Sequence, residues 1–194
     1  MKKIPCNFCL GDQFGVLFIA KDNAIKTEDS TEFRVVKCKS CGLVFLNPQP
    51  SYQELGSYYE GNYYTHIKNP VLAPGGFFYR CLRWLKRKLI KDGRFKLPTN
   101  QKSGRLLDVG CGKGNYVVEY RKQYPEWEFY GTEPDPIVAK IAREIPSLNI
   151  FNGFLQDAQF PDIFFDIIIM NHSLEHVPDP SETMREIWRI LMPG

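Results

Sequence analysis

Arg105-Leu106-Leu107-Asp108-Val109-Gly110-Cys111-Gly112-Lys113-Gly114 is the stretch on which the fold turns. A run of buried-strand character passes straight into three glycines at alternate positions, and Asn115 to Tyr124 then carries a helical pattern. Strand, glycine turn and helix is the arrangement by which an α/β sheet brings backbone N–H groups to a ligand at the carboxyl end of a strand. Nineteen residues after Gly114, the strand that begins at Trp127 ends at Gly131-Thr132-Glu133. Glu133 then stands at the tip of the next strand, where a carboxylate can accept both hydroxyls of a ribose. The spacing is G-x-G-x-G with Asn115 next, so it departs from the dinucleotide fingerprint G-x-G-x-x-G. Lys113 is followed by Gly114 and not by Ser or Thr, so neither NAD(P) nor a nucleotide triphosphate is the best fit.

Toward the amino terminus, four cysteines form two pairs, Cys6-Asn7-Phe8-Cys9 and Cys38-Lys39-Ser40-Cys41, with 28 residues between them. Two C-x-x-C knuckles supply the four thiolates of a closed tetrahedral zinc site, which leaves no open position for catalysis. Gly11 and Gly42 follow the knuckles, where tight turns are expected beneath a metal. Strand-like runs at 14–20, 33–37 and 43–46 complete a small β zinc ribbon over residues 1–47, with Cys6, Cys9, Cys38 and Cys41 holding a structural Zn2+. So small a unit buries too little surface to fold alone, and metal binding would supply much of its folding free energy.

Asn47-Pro48-Gln49-Pro50 separates the ribbon from a helical and aromatic linker, residues 48–102. Tyr52, Tyr58, Tyr59, Tyr63 and Tyr64 lie there within thirteen residues, a pattern that suits either a lid over a small-molecule site or packing between domains. Residues 77–97 hold eight basic residues and one acid, a local charge of +7 that leaves the rest of the chain at −4. Phe78, Cys81, Leu82, Leu85 and Leu89 recur at helical spacing, so the segment reads as an amphipathic helix with a basic face. Such a face is open to solvent, to an anionic membrane surface as a peripheral contact, or to RNA.

At 194 residues and 43% hydrophobic, the chain has room for one full domain and a small satellite. The net charge of +3 names no polyanionic partner. The apolar stretch from Phe160 to Met170 is broken by Pro161, Asp162 and Asp166, far short of the ~20 residues of a membrane span. No apolar h-region follows Met1-Lys2-Lys3, so a reducing compartment, the cytoplasm, is expected for the cysteines.

The residues from 107 onward resemble the class I S-adenosylmethionine-dependent methyltransferases. Leu107 to Gly114 is similar to that family's first motif, and Glu133-Pro134-Asp135-Pro136 to its ribose-binding second motif. Phe160 to Ile169 resembles the fourth strand and its lead-in, Asn171 to Val177 the loop beyond, and Leu191 to Gly194 the turn toward a fifth strand. The resemblance implies a Rossmann-like, mostly parallel sheet. About four of its strands can be counted, at 105–110, 127–132, 149–151 and 165–170, with helices at 115–124, 136–144 and 181–191, over a domain spanning 103–194. It implies S-adenosylmethionine as cofactor, held by Asp108, Gly110, Cys111, Gly112, Gly114, Glu133, Pro134, Phe154, Leu155 and Asn171. Gly110, Gly112 and Gly114 would admit the amino-acid end, Glu133 the ribose, Phe154 and Leu155 the adenine. Many relatives carry Asp where Phe154 stands, so the adenine amino group would be met from elsewhere, with Gln156 and Asp157 the nearest candidates. Since the family's sheet has seven strands, the chain resembles the amino-terminal portion of a longer protein. The strand 165–170 would then present an apolar edge open to self-association.

His172, Glu175 and His176 follow the fourth strand. His172 is the candidate general base for an acceptor hydroxyl, since its ordinary pKa lies near neutrality. Some family members place Glu-x-x-Glu-His here around a divalent cation; this chain has His172 in place of the first Glu, and His176 reads as a structural part of the loop. A zinc ribbon ahead of this domain resembles a bacterial subgroup that methylates sugars, polysaccharides and secondary metabolites. The expected activity is methylation of a small-molecule or glycan acceptor, at O ahead of N or C. An RNA methyltransferase, or a zinc-ribbon binding module with an inert second half, is the alternative.

Overall fold

The computed structural model describes residues 1–21, 32–52, 54, 55 and 95–194. Tyr58, Tyr59, Tyr63, Tyr64, Cys81 and nearly all of the basic segment 77–97 lie outside the described residues.

The amino-terminal sheet is antiparallel, with strands β1 (Phe14–Lys21), β2 (Glu32–Cys38) and β3 (Val44–Leu46) in that order. Phe14 pairs with Cys38 and Lys37 with Val44, so the register brings the end of β2 beside the second cysteine pair. Val36 is buried, and Phe14 meets Phe45 edge-to-face at 5.4 Å. Beyond β3 the chain stays with the ribbon through a bridge between Lys2 and Gln49.

The second sheet is wholly parallel among the described residues. Its strands β4 (Arg105–Val109), β5 (Glu128–Glu133), β6 (Leu148–Asn152) and β7 (Ile167–Met170) stand in the order β6-β5-β4-β7. Helix α1 (Asn115–Gln123) crosses from β4 to β5, α2 (Pro136–Arg143) from β5 to β6, and α3 (Pro180–Ile190) follows β7. The chain moves outward from β4 to β6 and then returns to the other side of β4. That reversal opens a crevice above the carboxyl ends of β4, β5 and β7.

Successive residues of β4 serve opposite faces. Leu106 packs with Leu97, Val117, Tyr120, Trp127, Phe129 and Leu148, whereas Leu107 and Val109 pack with Leu155, Phe165, Ile187 and Ile190. α2 and α3 begin alike, with Asp135 accepting from Ile137 and Val138 N–H and Asp179 from Glu182 N–H, each followed by proline at the first helical position.

The fold class is the one read from the sequence, with displaced boundaries. β4 stops at Val109 because Gly110 turns at φ 73°. Trp127 precedes β5 and is buried against Tyr124, while Glu133 is the last residue of that strand. The strand expected at 165–170 begins at Ile167; Phe165 instead bridges Leu191, which is extended and so ends α3 one residue early. β7 lies at the sheet edge among the described residues, its side chains half-buried. At the end of the linker 48–102, Leu97 is 2% exposed, and its N–H donates to the Tyr124 hydroxyl at 2.9 Å. Phe95 stacks near Tyr116 and Tyr120.

Candidate active site and four-cysteine centre

The glycine loop is built on the end of β5. Gly110 and Cys111 N–H both donate to the Thr132 carbonyl, at 2.9 and 3.0 Å, which lays the loop across the neighbouring strand. Gly112 N–H then donates to Glu133 Oε2 at 2.9 Å, and Asp135 N–H to Glu133 Oε1 at 2.9 Å. Each carboxylate oxygen keeps a further lone pair for an incoming hydroxyl. Burial raises the pKa of Glu133, against the lowering effect of the Asp135 and Gly112 amides. Asn152 Nδ2 donates to the Glu133 and Pro134 carbonyls, fixing the strand tip from the β6 side.

The three glycines do different work. A Cβ on Gly110 would stand 2.7 Å from Ser173 Cβ, so this glycine admits the loop after β7. A Cβ on Gly112 would meet nothing within 4 Å, and its φ of +56° is one that L side chains rarely adopt. Gly114, φ +74°, does not line the cavity; a Cβ there would strike Ile145 Cδ1 at 2.6 Å, so this glycine serves the packing of α1 against Ile145 and Leu148.

Above the loop lies a cavity of about 530 Å³. Asp108, Gly110, Cys111, Gly112, Glu133, Pro134, Phe154, Leu155, Asn171 and His172 all border it, so one crevice gathers residues from four separate stretches of chain. Gln156 borders it too, whereas Asp157 does not. Asp108 is 2% exposed, with Oδ2 buried and unpartnered among the described residues. Burial, and then the charge of Glu133, push its carboxyl up to about 7. Cys111 is buried with its thiol pKa raised, chiefly by desolvation, so it lines the site as an inert group. The cavity's volume, the open face at Gly112 and the carboxylate of Glu133 suit a nucleoside-sized ligand bearing a ribose.

His172 stands at the rim, its side chain 86% exposed and its backbone at φ 55°. Nδ1 lies 3.4 Å from Glu175 Oε1. Glu175 has its pKa lowered by its own backbone N–H and by the two flanking histidines. His176 also borders the cavity. Among the described residues, these three groups do not assemble as a metal-ligating set.

Sequence reasoning did not single out Tyr116 and Thr183, which border the cavity; Tyr52, named there only as one of five tyrosines, meets Phe154 edge-to-face at 4.8 Å. Gln156 Nε2 donates to the Tyr52 hydroxyl at 3.0 Å and to Thr183 Oγ1 at 2.8 Å. The tyrosine-dense composition around residue 52 was the available signal, and it carries no address.

The four cysteine sulfurs lie within 4.8 Å of one another, with Cys6–Cys41 and Cys9–Cys38 at 3.5 Å. Tetrahedral thiolates on zinc are about 3.8 Å apart, from Zn–S bonds of about 2.3 Å, so the donor set and its spacing fit that ion. The Cys41 N–H draws the Cys38 thiol down to about 6, against burial. The two knuckles repeat one hydrogen bond, Leu10 N–H to Cys6 O and Gly42 N–H to Cys38 O. The turn geometry corrects the sequence reading at one point. Gly42 takes φ +82°, but its counterpart in the first knuckle is Leu10, at φ 60°. Gly11 instead packs beneath the cysteine sulfurs, where a Cβ would lie 3.4 Å from Cys9 Sγ.

A family model described as a methyltransferase domain matches residues 81–194, taking in the latter part of the segment 48–102. Over 112 residues, 33% are identical to an uncharacterized methyltransferase of Schizosaccharomyces pombe, covering 52% of this chain and 40% of that protein. Over 120 residues, 28% are identical to a demethylmenaquinone methyltransferase of Listeria welshimeri, covering 58% of this chain and 48% of that one. The chain thus spans less than half the length of these two curated relatives. Among solved structures, an S-adenosylmethionine-dependent methyltransferase from Aquifex aeolicus matches with a TM-score of 0.43 and 21% identity, over 46% of this chain and 52% of that one.

Proposed function

The chain belongs to the methyltransferase-domain family, and on that premise we propose that it is a class I enzyme whose crevice binds S-adenosylmethionine for methyl transfer to a small-molecule, sugar or glycan hydroxyl. The observation that carries this reading is the Glu133 carboxylate, braced on the amides of Gly112 and Asp135 at the edge of the cavity. There it receives the two ribose hydroxyls. Gly112 leaves room for the amino-acid end, and Phe154 and Leu155 flank the adenine. Asn171 stands beside the methionine portion.

The bound cofactor supplies an electrophilic methyl group on a sulfonium, so the protein's task is to hold the acceptor in line and take its proton. His172 Nδ1 faces Glu175 Oε1 at 3.4 Å, which leaves Nε2 as the nitrogen to receive the hydroxyl proton. Cys6, Cys9, Cys38 and Cys41 hold a structural Zn2+, and four thiolates this close belong in a reducing compartment such as the cytoplasm.

Calorimetric titration of S-adenosylhomocysteine into the zinc-loaded protein tests the cofactor reading. Binding is expected in the wild type, with Glu133→Ala weaker by tenfold or more, about 1.4 kcal/mol. Equal affinity in the folded variant would remove the ribose assignment, and no binding to folded wild-type protein would overturn the reading itself.

A further inference from the structure

The ribbon and the crevice are joined by residues that belong to neither the cysteine set nor the cavity lining. Ser181, in the first turn of α3, donates its hydroxyl to the Asn7 carbonyl at 2.8 Å, inside the first knuckle between Cys6 and Cys9. Gln49, paired with Lys2 of the ribbon, donates its side-chain amide to the carbonyl of Pro178, in the loop that continues from His172. Three residues after Gln49, Tyr52 packs its ring on Phe154 and receives a hydrogen bond from Gln156. Phe154, Gln156, Val177 and Thr183 border the cavity, so the Tyr52 tie ends on its wall, the Gln49 tie one residue from it and the Ser181 tie two residues from it.

We propose that Gln49, Tyr52 and Ser181 are positioning residues that couple metal occupancy of the four-cysteine ribbon to cofactor affinity in the crevice. The inference rests on the cofactor reading above and adds to it. Four thiolates drawn together hold Asn7 and the strand pairings in one geometry. The Asn7 carbonyl and the Gln49 amide then hold the start of α3 and the Pro178 backbone. Tyr52, carried on the same short segment as Gln49, presses Phe154 into a single position. Without the metal the knuckle loosens, and the wall that the cofactor needs is lost along with it. Coupling of this kind is reciprocal, so a bound cofactor must also retain the metal.

The test uses the full chain, with S-adenosylhomocysteine as the probe, in zinc-loaded and chelator-stripped forms. Zinc-loaded protein is expected to bind the probe at least tenfold tighter than stripped protein. The same probe should strengthen zinc retention by an equal factor, read as zinc transfer to a chromophoric chelator. Cutting two ties with Gln49→Ala and Ser181→Ala should reduce the coupling to less than threefold while one zinc per chain remains bound. Ser181→Thr, which keeps the hydroxyl, should restore that tie, an outcome that a merely structural role would not require. Probe affinity independent of zinc in the wild type, or coupling unchanged in the double variant, overturns this proposal and leaves the cofactor reading standing. Failure of zinc-loaded wild-type protein to bind the probe overturns both.

Discussion

The Gly112 N–H and the Glu133 carboxylate meet at 2.9 Å, so the glycine loop after β4 is closed by the last residue of β5. The two groups stand 21 positions apart in sequence, with all of α1 between them, and together shape one wall of the crevice. The same carboxylate holds the Asp135 N–H, one residue ahead of α2.

Glu133→Gln is therefore expected to loosen the loop before any ligand is added. A carboxamide offers one acceptor oxygen in place of two, and its NH2 must face one of two N–H donors. Amide exchange at Gly112 or Asp135 should quicken by about tenfold or more, an opening free energy lowered by about 1.4 kcal/mol. Exchange unchanged at both positions, followed by NMR, would show that the carboxylate does not brace the loop.

Gly112 and Gly114 should fail in different ways when replaced by alanine. Both have positive φ, a strain of about 1 kcal/mol for an L residue. At Gly114 the methyl also strikes Ile145, so a further ~1–3 kcal/mol of overpacking is expected in urea unfolding. At Gly112 the space is open, and the larger loss should be in S-adenosylhomocysteine affinity. The reverse ordering, stability lost at 112 and binding lost at 114, is the result that defeats this division.

Asp108 makes the stability of the ligand-free protein depend on pH. Its folded-state pKa is raised from an ordinary 3.8 to about 7, by burial and then by Glu133. Between those values the folded state holds more protons than the unfolded chain, so stability falls as pH rises from about 4 to 7 and then levels. The full change is on the order of 4 kcal/mol. Burial of Glu133 acts in the same direction. Asp108→Asn should flatten the slope, giving a gain over wild type at pH 8 that shrinks toward pH 4. Urea midpoints that track wild type at both pH values would refute it.

Removing metal should melt the ribbon selectively. The Cys6–Cys41 and Cys9–Cys38 contacts join segments 35 and 29 residues apart, and beyond Val36 the small sheet buries few apolar side chains. Stoichiometric chelation should abolish the β1–β2 exchange protection while Leu106 and Phe129, buried in the other sheet, keep theirs. Retention of β1–β2 protection without metal would show that the cysteines are not the staple.

Local pattern was enough to reveal the α/β class, the glycine loop with its acidic partner, and the cysteine quartet. Leu106 and Leu107 announce a two-sided strand, Asp135-Pro136 and Asp179-Pro180 announce helix starts, and C-x-x-C pairs announce a donor set, because each signal lies within a few residues of its effect. Tertiary structure alone decided the rest. That Leu10 and not Gly11 takes the left-handed turn, and that Gly114 faces Ile145 and not the cavity, depends on atoms far away in sequence. The same holds for Tyr52 on Phe154 and Ser181 on Asn7, contacts spanning 102 and 174 residues. A side chain's type limits what it can bond to, but which partner arrives is set by how distant segments of the chain come together.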